Sequence, residues 1–161
     1  MALGEPAKYG IIIVCFGAAI VVALVGMSGG GEYKSRDVDR VWMKDLSSGE
    51  LFDVATKEGI HPPIKSPSGN DAVKAHVFAC GNCDDDSKRF IAYLEKYLPE
   101  AHKMFSEGGY NLTILEKAHV VSEDGKDEWV PIGLPEGQAI VNLKNSKCGD
   151  DLTPCFPVVK E

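Results

Sequence analysis

Val73-Lys-Ala-His76-Val-Phe-Ala-Cys80-Gly-Asn-Cys83-Asp-Asp-Asp-Ser87-Lys-Arg-Phe90-Ile-Ala-Tyr-Leu94-Glu-Lys-Tyr97-Leu98-Pro99 is the stretch on which the fold turns. It joins an apolar run to a C-x-x-C pair, an acidic cluster and a long segment of mixed polarity. Val73 to Ala79 reads as a short strand that delivers Cys80 to its end. Asp84, Asp85, Asp86 and Ser87 then offer N-caps, and negative charge where a helix start carries partial positive charge. Phe90, Leu94, Tyr97, Leu98, Ala101, Met104 and Phe105 recur at spacings of three and four, while Lys88, Arg89, Glu95, Lys96 and Lys103 fall elsewhere on the wheel. That pattern predicts a principal helix. Pro99 interrupts it, which predicts a kink or a break near Leu98 with Pro99 in the first turn of a new helix. Gly108-Gly109 ends it.

Working outward, Val41 to Leu46 and Glu50 to Val54 read as a β-hairpin around Ser47-Ser48-Gly49, where glycine suits a positive φ. His61-Pro-Pro-Ile-Lys-Ser-Pro-Ser-Gly69 is too rich in proline for a helix or a central strand. Downstream, Leu112 to Val121 and Glu128 to Ile132 read as a second hairpin around residues 122–127, with Trp129 facing a core. Residues 137–144 read as a short helix or strand, and the tail from Cys148 to Pro157 as loop. No internal repeat is present. The expected class is α+β: a small domain of β-hairpins packed on one main helix, zinc-ribbon-like where the cysteines hold a metal.

The N-terminal third differs in kind. Residues 9–31 carry no charge, and Ile11 to Met27 is almost wholly apolar, close to the roughly 20 residues a helix needs to span a bilayer. The expected organisation is a tail over 1–8, a transmembrane helix over 9–27, a Gly-rich then charged linker over 28–40, and a soluble domain over 41–161. A secretory signal peptide is disfavoured, because Lys8 is offset by Glu5 and no A-x-A site follows. Lys34, Arg36 and Arg40 lean toward a cytoplasmic domain by the positive-inside rule. A short tail before a single span is the usual form of a signal anchor, and the exported, periplasmic orientation is the expectation. The net charge of −7 argues against nucleic acid and anionic lipid surfaces as ligands of the soluble part, both of which need a basic face.

Cys15 lies in the span as a small apolar residue. The other four cysteines form a C-x2-C pair, Cys80 and Cys83, and a C-x6-C pair, Cys148 and Cys155. Four thiolates complete a tetrahedral Zn²⁺ shell, and a two-residue gap aims both sulfurs at one ion. A structural Cys₄ zinc site is therefore the leading reading, although the six-residue gap is wider than usual. Disulfides are the first alternative, favoured by export, with cross-pairing of the two segments stabilising more than pairing within each couple. A thiol–disulfide oxidoreductase using Cys80 and Cys83 is the second, since strand, C-x-x-C and helix place a thiolate at a helix N-terminus. Against it, the aspartates after Cys83 would raise the thiolate pKa. A rubredoxin-like iron site shares the Cys₄ chemistry, and Asp84 stands where covalent haem needs histidine.

Other signals are thin. His76 lies four residues before Cys80 and could replace a missing ligand, but a half-buried histidine is the plainer reading. His61, His102 and His119 are scattered. Asp84 to Asp86 read as a solvated cap, and Gly133-Leu-Pro-Glu-Gly137 lacks the Lys-Ser/Thr of a phosphate loop. Asn111-Leu-Thr113 matches a glycosylation sequon.

Asp45-Leu-Ser-Ser-Gly-Glu-Leu-Phe52, Pro62-Pro63-Ile64, Pro67-Ser68-Gly69, Val77-Phe78-x-Cys80-Gly-x-Cys83, Arg89-Phe90-Ile91-x-Tyr93-Leu94-Glu95 and Glu136-Gly137-Gln138-Ala139-Ile140 together resemble a group of single-span membrane proteins of planctomycete-type bacteria with a C-G-x-C domain. The resemblance spans about residues 41–156. It implies a bacterial envelope setting and carries no activity.

The function expected is a membrane-anchored, non-enzymatic domain with a structural Cys₄ zinc site, serving in binding or assembly at the bacterial inner membrane. The alternatives are the tethered oxidoreductase and a disulfide-stapled subunit of a larger membrane complex. The expected partners are membrane lipid, through the one span, and a protein partner or complex, with Ala19 and Ala23 four apart on one face of the span.

Overall fold

The computed structural model describes residues 39–56 and 60–158. The expected transmembrane helix over 9–27 lies outside the described residues, as does nearly all of the linker. Among the described residues no helix is long and apolar enough to cross a membrane.

The domain is α+β, an antiparallel sheet with three helices. In chain order the strands are β1 (Arg40–Asp45), β2 (Leu51–Ala55), β3 (Ile64–Lys65), β4 (Asp71–Cys80), β5 (Arg89–Tyr97), β6 (His119–Ser122), β7 (Val130–Pro131) and β8 (Leu152–Pro154). The helices are α1 (Pro99–Ser106), α2 (Leu112–Ala118) and α3 (Pro135–Cys148). The sheet runs β2-β1-β4-β5-β6-β7, with β3 and β8 also paired to β4. β4 is the axis: β5 pairs along one edge, while β1 takes Ala72–Lys74 and β8 takes Phe78–Cys80 on the other.

The expected first hairpin is present, with Gly49 at φ +76° in its turn. Its buried anchor is Asp45, whose carboxylate accepts hydrogen bonds from the Ser47 and Ser48 amides, the Ser66 and Ser68 hydroxyls and the Asn70 amide group. One side chain thus ties the β1–β2 turn to the loop before β4. β4 is as expected, and the hairpin around residues 122–127 forms, pairing Val120 with Pro131 and Val121 with Val130.

The principal helix is the main correction. Its first half, Arg89–Tyr97, is strand β5. Ala92, Tyr93, Leu94 and Glu95 are all buried, because both faces of β5 are covered. A strand buried on both sides shows no two-residue alternation, so its apolar positions imitate a helical period. The aspartate run caps only a short 3₁₀ turn, in which Asp85 accepts from the Ser87 amide. The break at Leu98 is real, and α1 starts with Pro99 at its first position, where a missing N–H costs nothing. Leu112–Ala118, expected as strand, is helical because the Asn111 side chain accepts from the amides of Thr113 and Ile114.

The two faces of the sheet carry separate cores. On one, Val73, Ala75, Val77 and Ala79 pack with Leu94, Cys83 and Cys155 beneath Trp42, Ile91 and Trp129. On the other, Ala92, Tyr93 and Val121 pack with Phe78 and Phe90 beneath Ile140 and Val141 of α3. The Lys96 ammonium sits 3.8 Å from the Trp129 ring centroid. Gly137 sets how closely α3 seats: a Cβ there would lie 2.2 Å from the Pro131 carbonyl oxygen, so only glycine lets the helix touch the β7 backbone.

Candidate functional site

The four cysteines expected as zinc ligands are brought together, but as two disulfides, Cys80–Cys148 and Cys83–Cys155. This overturns the zinc reading and the zinc-ribbon-like fold with it: each sulfur is bonded to another sulfur, leaving no thiolate to bind a metal. Among the described residues no cluster of three or more His, Cys, Asp or Glu side chains is arranged to hold a metal ion. The geometry follows from topology. β4 carries Cys80 to its end, α3 ends on Cys148, and β8 then pairs back onto Phe78–Cys80, bringing Cys155 beside Cys83. The C-x-x-C cysteines thus bond to separate partners rather than to each other. Cys83 and Cys155 are buried within the core, whereas Cys80 and Cys148 are half-buried. The Trp42 indole N–H donates to the Cys155 carbonyl at 3.0 Å, fastening the C-terminal strap to β1 as well.

Beside this strap lies a groove of about 870 Å³ between the β1–β2 hairpin, β5 and the last turns of α3. Its floor is the first half of β5. β6 pairs only with Leu94–Tyr97, so Arg89–Tyr93 has no strand partner on that side among the described residues. Trp42, Leu51 and Ile91 form an apolar wall, and Phe90 with Leu143, Lys144 and Lys147 forms the opposite one. The Lys144 ammonium is 5.2 Å from the Phe78 ring centroid and 5.6 Å from that of Tyr93; Lys147 is 4.4 Å from that of Phe90.

The third feature is a row of titratable groups on the α3 side of the sheet. Glu95 is buried at the end of β5, with His76 Nε2 at 2.6 Å from Oε2, Lys74 Nζ at 3.4 Å from Oε1 and His119 Nε2 at 3.3 Å from Oε1. The approach of His119 is skewed, so its buried nitrogen is an electrostatic neighbour rather than a well-aligned donor. His76 stacks on Tyr93 and His119 on Tyr97, with centroids 4.1 and 4.8 Å apart. His61 stacks on Phe105 at 3.8 Å and His102 lies 3.2 Å from the Pro62 carbonyl, so all four histidines of the chain gather around this end of the sheet. Burial opposes ionisation of Glu95, but the two imidazoles and the Lys74 ammonium outweigh it and hold the carboxyl well below its usual range. Burial also pushes His76 down against the pull of Glu95, so a neutral His76 donates Nε2–H to an ionised carboxylate. The Tyr93 phenol is pushed up to about 12 by burial and by Glu95.

The cysteine positions were visible in the sequence and their chemistry was not. The groove and the histidine row were missed, because both depend on β5 being a strand. Alternation on the α3 side, Tyr93, Glu95 and Tyr97, was the signal for the row. Comparison with protein-family models, curated proteins and solved structures returned no match.

Proposed function

We propose that this chain is a non-enzymatic binding domain displayed on the periplasmic side of a bacterial membrane, stapled by disulfides and tethered by the apolar segment at 9–27. The observation that carries it is the cross-pairing of all four domain cysteines across separations of 68 and 72 residues. Disulfides persist in oxidising compartments, so the pairing supports the exported orientation over the charge count. The groove supports the binding role: it is apolar-walled, it holds an unpaired strand edge, and pockets of this size and lining are the usual ligand sites of small domains. The oxidoreductase alternative loses its motivation, because Cys80 and Cys83 are not a redox couple with each other.

One experiment joins both halves. The full chain, expressed in a bacterial envelope, is probed with a membrane-impermeant thiol reagent before and after mild reduction. The isolated protein is then screened with a mixed panel of short extended peptides, reading Trp42 fluorescence against a Trp42→Phe control. New labelling only after reduction in intact spheroplasts, plus a saturable Trp42 signal lost in Leu143→Arg, is the expected outcome. Free thiols that stay inaccessible until lysis would sink the exported reading, and a silent Trp42 across the panel would sink the binding role.

A further inference from the structure

The groove has a charge pattern that its residue types alone conceal. Its three carboxylates are each paired within the domain: Asp86 with Arg89, Asp124 with Lys44, and Glu123 with Lys126. Its two lysines are not. Lys144 and Lys147 face aromatic rings, and among the described residues no carboxylate lies within ion-pair range of either. A chain of net charge −7 therefore presents two cations without an ion-pair partner among the described residues in the lining of this groove.

The floor adds direction. β6 leaves its lane beside β5 at Ser122, and Arg89–Tyr93 continues without a neighbour on that side. An unpaired edge sunk between two walls accepts a further strand through main-chain hydrogen bonds. Side chains of such a strand alternate between the two faces of the sheet. One face of the lane meets Phe90, Lys144 and Lys147; the other meets Trp42, Ile91 and Leu51.

We infer that the groove binds an extended segment of a partner protein, added as a strand beside Arg89–Ala92, in which acidic residues alternate with aliphatic ones. The acidic side chains face Lys144 and Lys147, and the aliphatic ones enter the Trp42 wall. This rests on the binding role proposed above and names its ligand.

The test uses the full chain in a zwitterionic lipid nanodisc and end-blocked octapeptides followed by fluorescence anisotropy. The peptides alternate Glu with Val, Ser with Val, or Lys with Val; a fourth and a fifth alternate Glu with Val and are N-methylated at the backbone amides of every Glu or of every Val, one register each. The Glu–Val peptide is expected to bind about ten-fold more tightly than Ser–Val, the gain of two ion pairs of the exposed kind. Lys–Val should bind more weakly still. Lys144→Ala with Lys147→Ala should bring Glu–Val down to the Ser–Val level while the domain still melts cooperatively at a slightly lower temperature, since each lysine loses a ring contact but no ion pair. N-methylation in the register that faces β5 should abolish binding. Equal binding of Ser–Val or Lys–Val, or indifference to the lysine substitutions, overturns the acidic preference and leaves the binding role standing. Full binding by both registers of the N-methylated peptide overturns strand addition. Failure of every peptide overturns the binding role itself.

Discussion

Removal of the two disulfides, singly and together, should give stability losses that do not add. Either bridge alone closes a separation of 68 or 72 residues, and chain entropy alone then contributes ~4.4 kcal/mol. Once one is closed, the other only completes the ring formed by Cys80–Cys83 and Cys148–Cys155, roughly ten residues, and contributes ~2.7 kcal/mol. Losing one bridge therefore costs ~2.7 kcal/mol and losing both ~7 kcal/mol, about 1.7 kcal/mol beyond the sum of the single losses. The inner bridge carries a second cost, since Cys83 and Cys155 are 3% and 4% exposed and sit in the core beneath Trp42. Alanine at both leaves space worth about 1–2 kcal/mol more. The variants are Cys80→Ala/Cys148→Ala, Cys83→Ala/Cys155→Ala and the quadruple substitution. The assay is equilibrium urea unfolding of the full chain, followed by the fluorescence of Trp42 and Trp129, the chain's two tryptophans. Strict additivity, or a larger loss from the outer bridge than the inner, would refute the reasoning.

Three further outcomes follow from the same structure. Stability should fall on acidification in two steps: the first starts near pH 6.5, where the unfolded His76 and His61 take up protons that their depressed folded pKa values refuse. The second starts near pH 4.5, where the unfolded Glu95 is protonated before the folded one; Glu95→Gln should shrink that lower step in a pH series of urea midpoints, and an unchanged step would count against the network. Gly137→Ala should destabilise by about 1–3 kcal/mol or more, because the new methyl meets backbone at Pro131 and Ile132 rather than a yielding side chain; a neutral result in a thermal melt would show that α3 can be lifted at no cost. A strong chelator should leave the melting temperature unchanged while a thiol reductant lowers it by several degrees, and the reverse ordering would restore a metal at the cysteines.

The sequence disclosed what depends on local chemistry. The β1–β2 hairpin with its glycine turn, β4 running into Cys80, and the break at Leu98–Pro99 each rest on a residue whose backbone preference decides the matter. It failed where tertiary contact decides. β5 is covered on both faces by side chains distant in the chain, Trp42, Trp129 and Cys155 on one and Ile140 and Val141 of α3 on the other, so Phe90, Leu94 and Tyr97 gave a spurious helical period. That one error hid the groove and the histidine row, which exist only because β5 presents a short free edge and an alternating face. The cysteines erred differently. Spacing tells which sulfurs are neighbours along the chain; whether Cys148 meets Cys80 or a metal depends on where α3 ends and how β8 returns, and no local pattern encodes either.

The strap and the groove are mechanically one device. Cys148 is the last residue of α3, Lys144 lies one turn before it and Lys147 directly beside it, so the Cys80 bridge pins the end of the helix that carries the groove's two cations. The inner bridge joins Cys83 to Cys155, the residue just past β8 whose carbonyl accepts from the Trp42 indole, and it holds the core rather than the helix end. The two bridges should therefore rank oppositely in two measurements. Cys83→Ala/Cys155→Ala should cost more stability, yet keep most of the affinity of the folded molecules for the alternating Glu–Val peptide. Cys80→Ala/Cys148→Ala should cost less stability but lose several-fold in affinity, because a frayed α3 terminus no longer fixes Lys144 and Lys147 over Phe78 and Phe90. If the same bridge dominates both measurements, the lysines are not positioned through it, and the groove owes its charge to the helix alone.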